Sequence, residues 1–526
     1  SLRRLENEVI RERYHGQSMM GAFVNPIKVS IRQFYGIEIN DFAVAVATTA
    51  LWISEAQMLA ETERIVQQDI DFLPLKSYAN IAEGNALRID WESVVPKEKL
   101  NYIMGNPPFQ GARVMNESQK QDVIDIFGAK WKNVGNLDYV CCWYKKAADL
   151  MKRAPAVRAA LVSTNSICQG EQVANLWKSL FEEGIHINFA HRTFRWDSEA
   201  SLKAHVHCVI VGFSYKDIHP CTIFDNDRVT PANNINAYLA DAPNVFVGSR
   251  QHPISGVPEI GIGNKPIDGG NFLFTKEEKG EFIKVEPLSA RFFKLWYGSE
   301  EFIHQKPRYC LWLGECTPAE LRQMPHCLKR IDAVRNVRLA SPSAGTRKLA
   351  KCPTRFHVEN MPKGTFILIP KVSSEKRRYI PMGFMSSDAL ASDLVFIIPD
   401  ATLYHFGVLE SNVHMAWMRA VCGRLEMRYR YSKDIVYNNF PWPIPTDEQK
   451  ARIEQTAQAI LDARTLYPDS SLADLYDELT MPVELRRAHQ DNDRAVMRAY
   501  GFDVKTMTES QCVAELFKMY QALTKQ

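Results

Sequence analysis

The sequence predicts a doubly wound α/β domain over residues 1–215, a mixed α+β domain over 216–440 and a small helical domain over 441–526. Three observations carry this division. Short apolar runs that end in polar or acidic residues alternate with longer helical patterns through residue 213, as parallel strands joined by crossover helices do. After residue 215 proline and glycine become more frequent and the runs shorten. Beyond Asn438-Asn439-Phe440-Pro441-Trp442-Pro443, apolar residues recur at helical spacing, with Ile453, Ala457, Ile460 and Leu461 on one stripe and Leu472, Leu475, Tyr476 and Leu479 on another. Both stripes read as core.

Taken in order, residues 1–20 read as a charged amphipathic helix entered in its middle, because no initiator Met precedes it and the apolar pattern begins at once. The chain is therefore expected to start inside a domain. Ile31 to Asn40 forms a short apolar strand ending in Glu38-Ile39, followed by a helix over 42–59. A carboxylate at the tip of such a strand is placed to accept both hydroxyls of a ribose, which makes Glu38, with Ile39 beside it, the cofactor candidate. A third strand should finish within Ile81 to Trp91, where Asn85 is set to bond an adenine amino group, Ala86 and Leu87 to pack on its ring, and Asp90 to serve as the fallback. Asp138 to Ala148 shows helical spacing, Arg158 to Ser166 is another strand, and His205 to Phe213 is a late one. The His205-x-His207 pair has no third ligand at a recognised spacing, so no metal site is expected.

The stretch that organises this domain is Tyr102-Ile103-Met104-Gly105-Asn106-Pro107-Pro108-Phe109. Two prolines can neither continue a sheet nor join a ladder, so Asn106 and the Pro107 carbonyl are fixed at the strand's C-terminal edge, where open α/β sheets bind ligands. Two rigid acceptors there suit methylation of an amino group conjugated to a ring. They take its two hydrogens, draw the nitrogen towards tetrahedral geometry and free its lone pair for in-line attack, while Phe109 stacks on the base. A duplex base must be flipped out to reach such a pocket. A Pro-Pro turn without chemistry is the plain alternative.

Bulk properties leave the partner open. A formal charge of +3 on 526 residues is nearly balanced, so any nucleic-acid surface must come from local clusters. Lys329, Arg330, Arg335, Arg338, Arg347, Lys348, Lys351 and Arg355 form one cluster. Glu375, Lys376, Arg377 and Arg378 follow the apolar strand Phe366 to Pro370. Arg424, Arg428, Tyr429, Arg430, Tyr431 and Lys433 interleave cations with aromatics. Each residue alone is a solvated charge; three clusters in about one domain read together as a double-stranded DNA surface, with Arg347, Lys348, Glu375, Arg377, Arg378, Arg428 and Arg430 as the binding candidates. Eleven cysteines without a C-x-x-C pair point to a reduced, cytoplasmic protein without structural zinc. No apolar run is read as long enough to span a bilayer, and no membrane partner is expected. Glu448-Gln449-Lys450 opens a helix and is a chance match to the tail of a nuclease motif.

Asn106-Pro107-Pro108-Phe109 is the signature of amino-group methyltransferases that use S-adenosylmethionine. Together with Tyr35-Gly36-Ile37-Glu38, Gly84 to Trp91, Val372-Ser373-Ser374-Glu375-Lys376-Arg377-Arg378-Tyr379-Ile380-Pro381 and Tyr437 to Pro443, it makes nearly the whole chain resemble the MmeI-like single-chain type II restriction-modification enzymes. The resemblance implies a Rossmann-like class I methyltransferase domain, then a target-recognition domain and a helical C-terminal domain. It also implies γ-type N6-adenine methylation of one strand of a short site in duplex DNA, with base readers around Glu375 and Arg377. In related methyltransferases an Asp more often fills the place of Asn85. Members of the family carry an N-terminal nuclease, a connector and a Gly-rich turn after the first strand. None is found here: the cluster Gly261 to Gly270 is broken by Pro266 and reads as a loop. The first strand and its turn are thus expected to be missing, and DNA cleavage is not expected of this chain. The alternatives are a non-catalytic, sequence-specific DNA-binding fragment, or an amino-group methyltransferase acting on RNA or protein.

Overall fold

The structure is a computed structural model that describes residues 1–14, 25–70, 80–128, 131–197 and 205–524. It divides into two compact units. One comprises Ser1–Leu161, Gly184–His186 and Gly212–Asp217; the other comprises Val162–Glu183, Ile187–Val211 and Ile218–Gln526.

The first unit opens with α1 (Leu2–Tyr14); residues 15–20 of the predicted helix lie outside the described residues. Its buried face holds polar as well as apolar groups. Arg3 donates to Thr62 at 3.1 Å, Thr62 to Asn7 at 2.7 Å and Asn7 to the Met58 carbonyl at 3.2 Å, while Ile10 packs with Val66 and Ile70. This joins α1 to α2 (Asp41–Val66), which starts from an Asn40 cap accepting the Ala43 amide. The helix is longer than the predicted 42–59, because the largely polar turns after Leu59 stay helical and bury Thr62 and Val66. By length and composition alone α2 would suffice to cross a membrane, which corrects the expectation that no segment of the chain is long and apolar enough.

On either side of α2 in the chain, β1 (Tyr35–Glu38) runs parallel to β2 (Asn80–Glu83), with Glu38 opposite Glu83. A 3-10 turn at Ile31–Gln33 precedes β1 and takes up the front of the predicted strand. Farther along, β3 (Tyr102–Gly105) runs parallel to β4 (Arg158–Thr164), with Gly105 opposite Leu161. The connection carries α3 (Glu117–Phe127), entered through a capping box of Asn116 and Gln119, and α4 (Cys141–Arg153). The buried residues of α4, including Cys141, Tyr144, Ala148 and Met151, recur every three or four positions, so one stripe faces the core.

In the second unit, β5 (His186–Asp197) pairs with Cys221–Asp225, and that strand turns back through Asp225 and Arg228 into Arg228–Ala232. Two four-stranded sheets and one of three strands follow. In one, Phe366–Pro370 lies between Gly383–Met385 and Val395–Pro399 and is buried at all five positions. The stretch Gly261 to Gly270, predicted as a loop, contributes the edge strand Gly261–Ile262 to this sheet. A Cβ on Gly263 would fall 2.2 Å from the Ser392 carbonyl oxygen, so glycine is required here for backbone approach and not for a phosphate. One hydrophobic core draws on residues from Ala240 to Tyr520 and includes Phe366, Phe406, Trp417, Phe440, Ile460 and Phe517, and a second gathers Phe272, Trp296, Trp312, Ile331 and Phe356. The strands Phe366–Pro370 and Val395–Pro399 and the C-terminal helices therefore share one interior.

Candidate active site and nucleic-acid interface

In the first unit a cleft of about 680 Å³ opens where β1, β2 and β3 end. Glu38, Ile39, Asn85, Ala86, Asn106, Pro107 and Pro108 all line it; Phe109, half-buried, does not. Among the described residues β1 pairs only with β2, and β3 only with β4. The cleft is thus walled partly by strand edges, and Tyr102 and Met104 are exposed there.

The tetrapeptide is rigid from outside as well as within. The Gln110 carbonyl accepts the Tyr139 amide at 2.9 Å, and the Asp138 carboxylate accepts the Ala112 amide at 3.1 Å, so the start of α4 holds the loop that follows. Pro107 is buried while Asn106 and Pro108 are exposed. Neither the Asn106 side chain nor the Pro107 carbonyl has a hydrogen-bond partner among the described residues. Two fixed acceptors are left open to the cleft. Glu38 is similarly available: among the described residues its side chain accepts only the Ile39 amide, at 2.9 Å.

Asn85 is committed elsewhere. Its oxygen accepts the Leu87 amide at 2.9 Å and its amide nitrogen donates to Asp122 at 3.1 Å. It shapes the turn after β2, where Gly84 has φ of +142° and a Cβ would meet Ile89 at 2.7 Å. Asp90 caps the short helix Trp91–Val94 through the Glu92 amide. The sequence reading missed Asp122, a buried carboxylate on the cleft wall that also accepts from Arg88 at 2.8 Å and Tyr139 at 2.7 Å. Burial pushes its carboxyl up, but the bonds from Arg88, Tyr139 and Asn85 prevail and hold it below the usual range. Burial and the same carboxylate raise the Tyr139 phenol. No local spacing announces Asp122, since Asn85 and Arg88 lie more than thirty positions upstream.

The DNA-binding candidates fall on two features of the second unit. Arg428 and Arg430 are exposed on either side of buried Tyr429 in the strand Arg428–Arg430. This strand pairs with Val372–Ser373, from which Ser374 to Arg378 emerges. The segment thus starts beside the strand that carries Arg428 and Arg430, and Glu375, Arg377 and Arg378 line one cavity with Tyr429. Arg428 is tied to Glu426 at 2.9 Å; Arg430 has no ion-pair partner among the described residues. Burial lowers the Arg377 guanidinium, opposed by Asp477 and Glu300. Arg347 and Lys348 are exposed on the separate helix Ala344–Leu349, where Arg347 donates to the Ser341 and Pro342 carbonyls.

The cluster around them needs a correction. Arg338 is fully buried and is no surface cation. Its five guanidinium hydrogens go to the carbonyls of Pro266, Ile267, Leu349, Cys352 and Arg355 at 2.7–3.0 Å. Arg335 and Arg355 are paired with Asp332 and Glu359.

Comparison with known proteins agrees along the whole chain. Residues 1–225 match a family model described as the MmeI DNA-methyltransferase domain, 241–444 the MmeI target recognition domain and 444–526 the MmeI C-terminal domain. DNA methyltransferase A of Bacillus subtilis (strain 168) is 40% identical over 99% of the chain, which spans 59% of that relative's length. The solved structure of the Type IIL restriction-modification enzyme MmeI in complex with DNA is 44% identical, with a TM-score of 0.90 over 100% of this chain and 71% of that one.

Proposed function

The chain belongs to the MmeI family, and from that premise we propose that it is the methylating and recognising part of a restriction-modification enzyme. It acts on N6 of an adenine flipped out of duplex DNA, with S-adenosylmethionine as the methyl donor. The observation that carries this reading is the pair of unpartnered acceptors, Asn106 Oδ1 and the Pro107 carbonyl, at the end of β3 in the cleft that Glu38 also lines.

The residues fit the donor. Glu38 would hold the ribose hydroxyls, and the side chains of Ile39 and Trp143 with the turn at Ala86 would flank the nucleoside. When bound, S-adenosylmethionine supplies an electrophilic sulfonium methyl. Asn106 Oδ1 and the Pro107 carbonyl accept the two amino hydrogens and localise the nitrogen lone pair. Because the following loop is pinned by Asp138 and Tyr139, these dipoles need no reorganisation during transfer. The nitrogen would take the methyl directly and give up one proton towards solvent, with the bonding pair left on the donor's sulfur, so no covalent enzyme intermediate is needed. Glu375, Arg377 and Arg378 would read base edges, and Arg430 would meet the phosphate backbone. A reducing, cytoplasmic setting suits the eleven cysteines, all unbridged.

The test is single-position detection of modified bases in DNA from cells expressing the full-length gene. N6-methyladenine on one strand of a recurring motif is the expected result. Methylated cytosine would overturn the adenine assignment, and an unmodified genome would overturn the activity.

A further inference from the structure

The segment Ser374 to Arg378 leaves the strand Val372–Ser373, whose register is set by Arg428–Arg430. At its far end stands Tyr379, which is buried. Its hydroxyl donates to Asp493 at 2.7 Å and its ring stacks on His489 at 4.1 Å. Both partners lie on the C-terminal helix Val483–Ala499. The other oxygen of Asp493 accepts the Asn412 amide at 2.8 Å, at the start of the helix Asn412–Val421. That helix in turn carries Arg419, whose guanidinium is held by both oxygens of Glu509 at 2.8 and 2.9 Å and donates to the Arg378 carbonyl at 3.3 Å. Glu509 opens the last helix, Glu509–Thr524. A cavity of about 500 Å³ separates the segment from these helices, with Glu375, Arg377 and Arg378 on one wall and Met497, Met507 and Glu509 on the other.

The segment is thus a loop with two fixed ends, one set by a sheet and the other by the C-terminal helices. A buried carboxylate is an expensive way to gain stability alone, since apolar packing of similar volume does as well. What a carboxylate adds is direction, because it fixes a phenol and a helix N-terminus relative to each other.

We propose that the C-terminal helices are part of the sequence-reading device, with Asp493 as a positioning residue that sets where Glu375 and Arg377 present their side chains. The inference rests on the base-reading role assigned above. Asp493 touches no DNA; it acts through Tyr379. Arg419 and Glu509 act through the Arg378 backbone.

The experiment compares motif profiles of methylated DNA for the full-length wild type, Asp493→Asn, Tyr379→Phe and Glu509→Gln, alongside thermal melting. The expected result is that the variants still methylate, but discriminate on the order of tenfold less at one base pair of the motif, with the rest of the motif unchanged. Uniform loss of methylation at every site, or an unaltered motif in all three variants, would overturn the proposal. If Asp493→Asn does not fold, Glu509→Gln decides, because Glu509 is half exposed and its replacement empties no buried site. A wild type that methylates no motif refutes the methyltransferase reading itself, which keeps the two failures apart.

Discussion

The tetrapeptide Asn106 to Phe109 and the segment Ser374 to Arg378 are both short loops that follow a strand, yet they are built in opposite ways. The first owes its shape to its own two prolines and to contacts within about thirty positions, Asp138 and Tyr139 among them. It leaves its polar atoms unpartnered. The second has no such internal stiffness and is anchored through Asp493, more than a hundred positions downstream of Tyr379. Chemistry that never varies can be held by local stiffness. On the proposed reading, a segment that must match a particular sequence is held by a remote frame, so its geometry can change without touching the reacting atoms.

The largest effect should come from the local device. Asn106→Ala should lower methylation by about 10²–10³-fold, the usual loss for one aimed polar group in a transition state, while duplex affinity stays within a few-fold in gel-shift titrations. Loss of binding instead would make Asn106 structural and erase the contrast. Next comes Arg338→Met, which strips five carbonyls of their donor. Unsatisfied buried acceptors cost about 1–3 kcal/mol each before relaxation, so a drop of roughly 3 kcal/mol or more in denaturant unfolding is expected. A drop under about 1 kcal/mol would mean that the loop at 349–355 finds water.

How much was legible follows the same division. The β3 edge, the free acceptors of Asn106 and Pro107 and the strand-tip position of Glu38 follow from proline geometry and alternating elements, which are properties of neighbouring residues. Asn85 stands at the predicted strand end, but its amide belongs to Leu87 and Asp122, a commitment visible only once α3 is in place. Arg338 reads as one cation among eight because burial is not written in charge; its five acceptors come from two stretches flanking it in the chain. The predicted end of α2 at Leu59 fell short because the following turns, Ala60 to Val66, are mostly polar in sequence, yet they continue the helix and bury Thr62 and Val66. Asp122 and Asp493 were invisible for a common reason: each is defined by partners brought together only by folding.

The remote frame should also be sensitive to pH. Burial pushes the Asp493 carboxyl up to about 6, against the hydrogen bonds from Tyr379 and Asn412 and the charges of Arg378 and Arg419. A carboxyl raised in the folded state contributes stability that is fully present below its unfolded value near 4 and lost as pH rises through 6. Asp493→Asn has no proton to lose there. Relative to wild type, its stability should therefore improve by roughly 2–3 kcal/mol between pH 4 and pH 7.5, since each tenfold change in proton affinity on folding is worth about 1.4 kcal/mol. Parallel pH profiles of the two proteins would show that the carboxylate is ionised in the folded state without penalty, and that the frame is not electrostatically strained.

The smallest effect separates two arginines on one strand. Arg430 has no ion-pair partner among the described residues, whereas Arg428 is already neutralised by Glu426. A free cation that meets a phosphate releases one counterion, so Arg430→Gln should weaken DNA binding a few-fold, equally for all sequences, and flatten the log–log salt slope by about 0.9. Arg428→Gln should change the slope less, because Glu426 competes for its charge. Affinities measured between about 50 and 200 mM salt on cognate and scrambled duplexes, concentrations at which a phosphate contact registers strongly, distinguish the outcomes. A slope unchanged by Arg430→Gln, with discrimination relaxed at one base pair, would move Arg430 into the reading device beside Arg377. The three-stranded sheet would then itself be part of the frame, and the boundary between positioning and reading would run through Tyr429 instead of ahead of it.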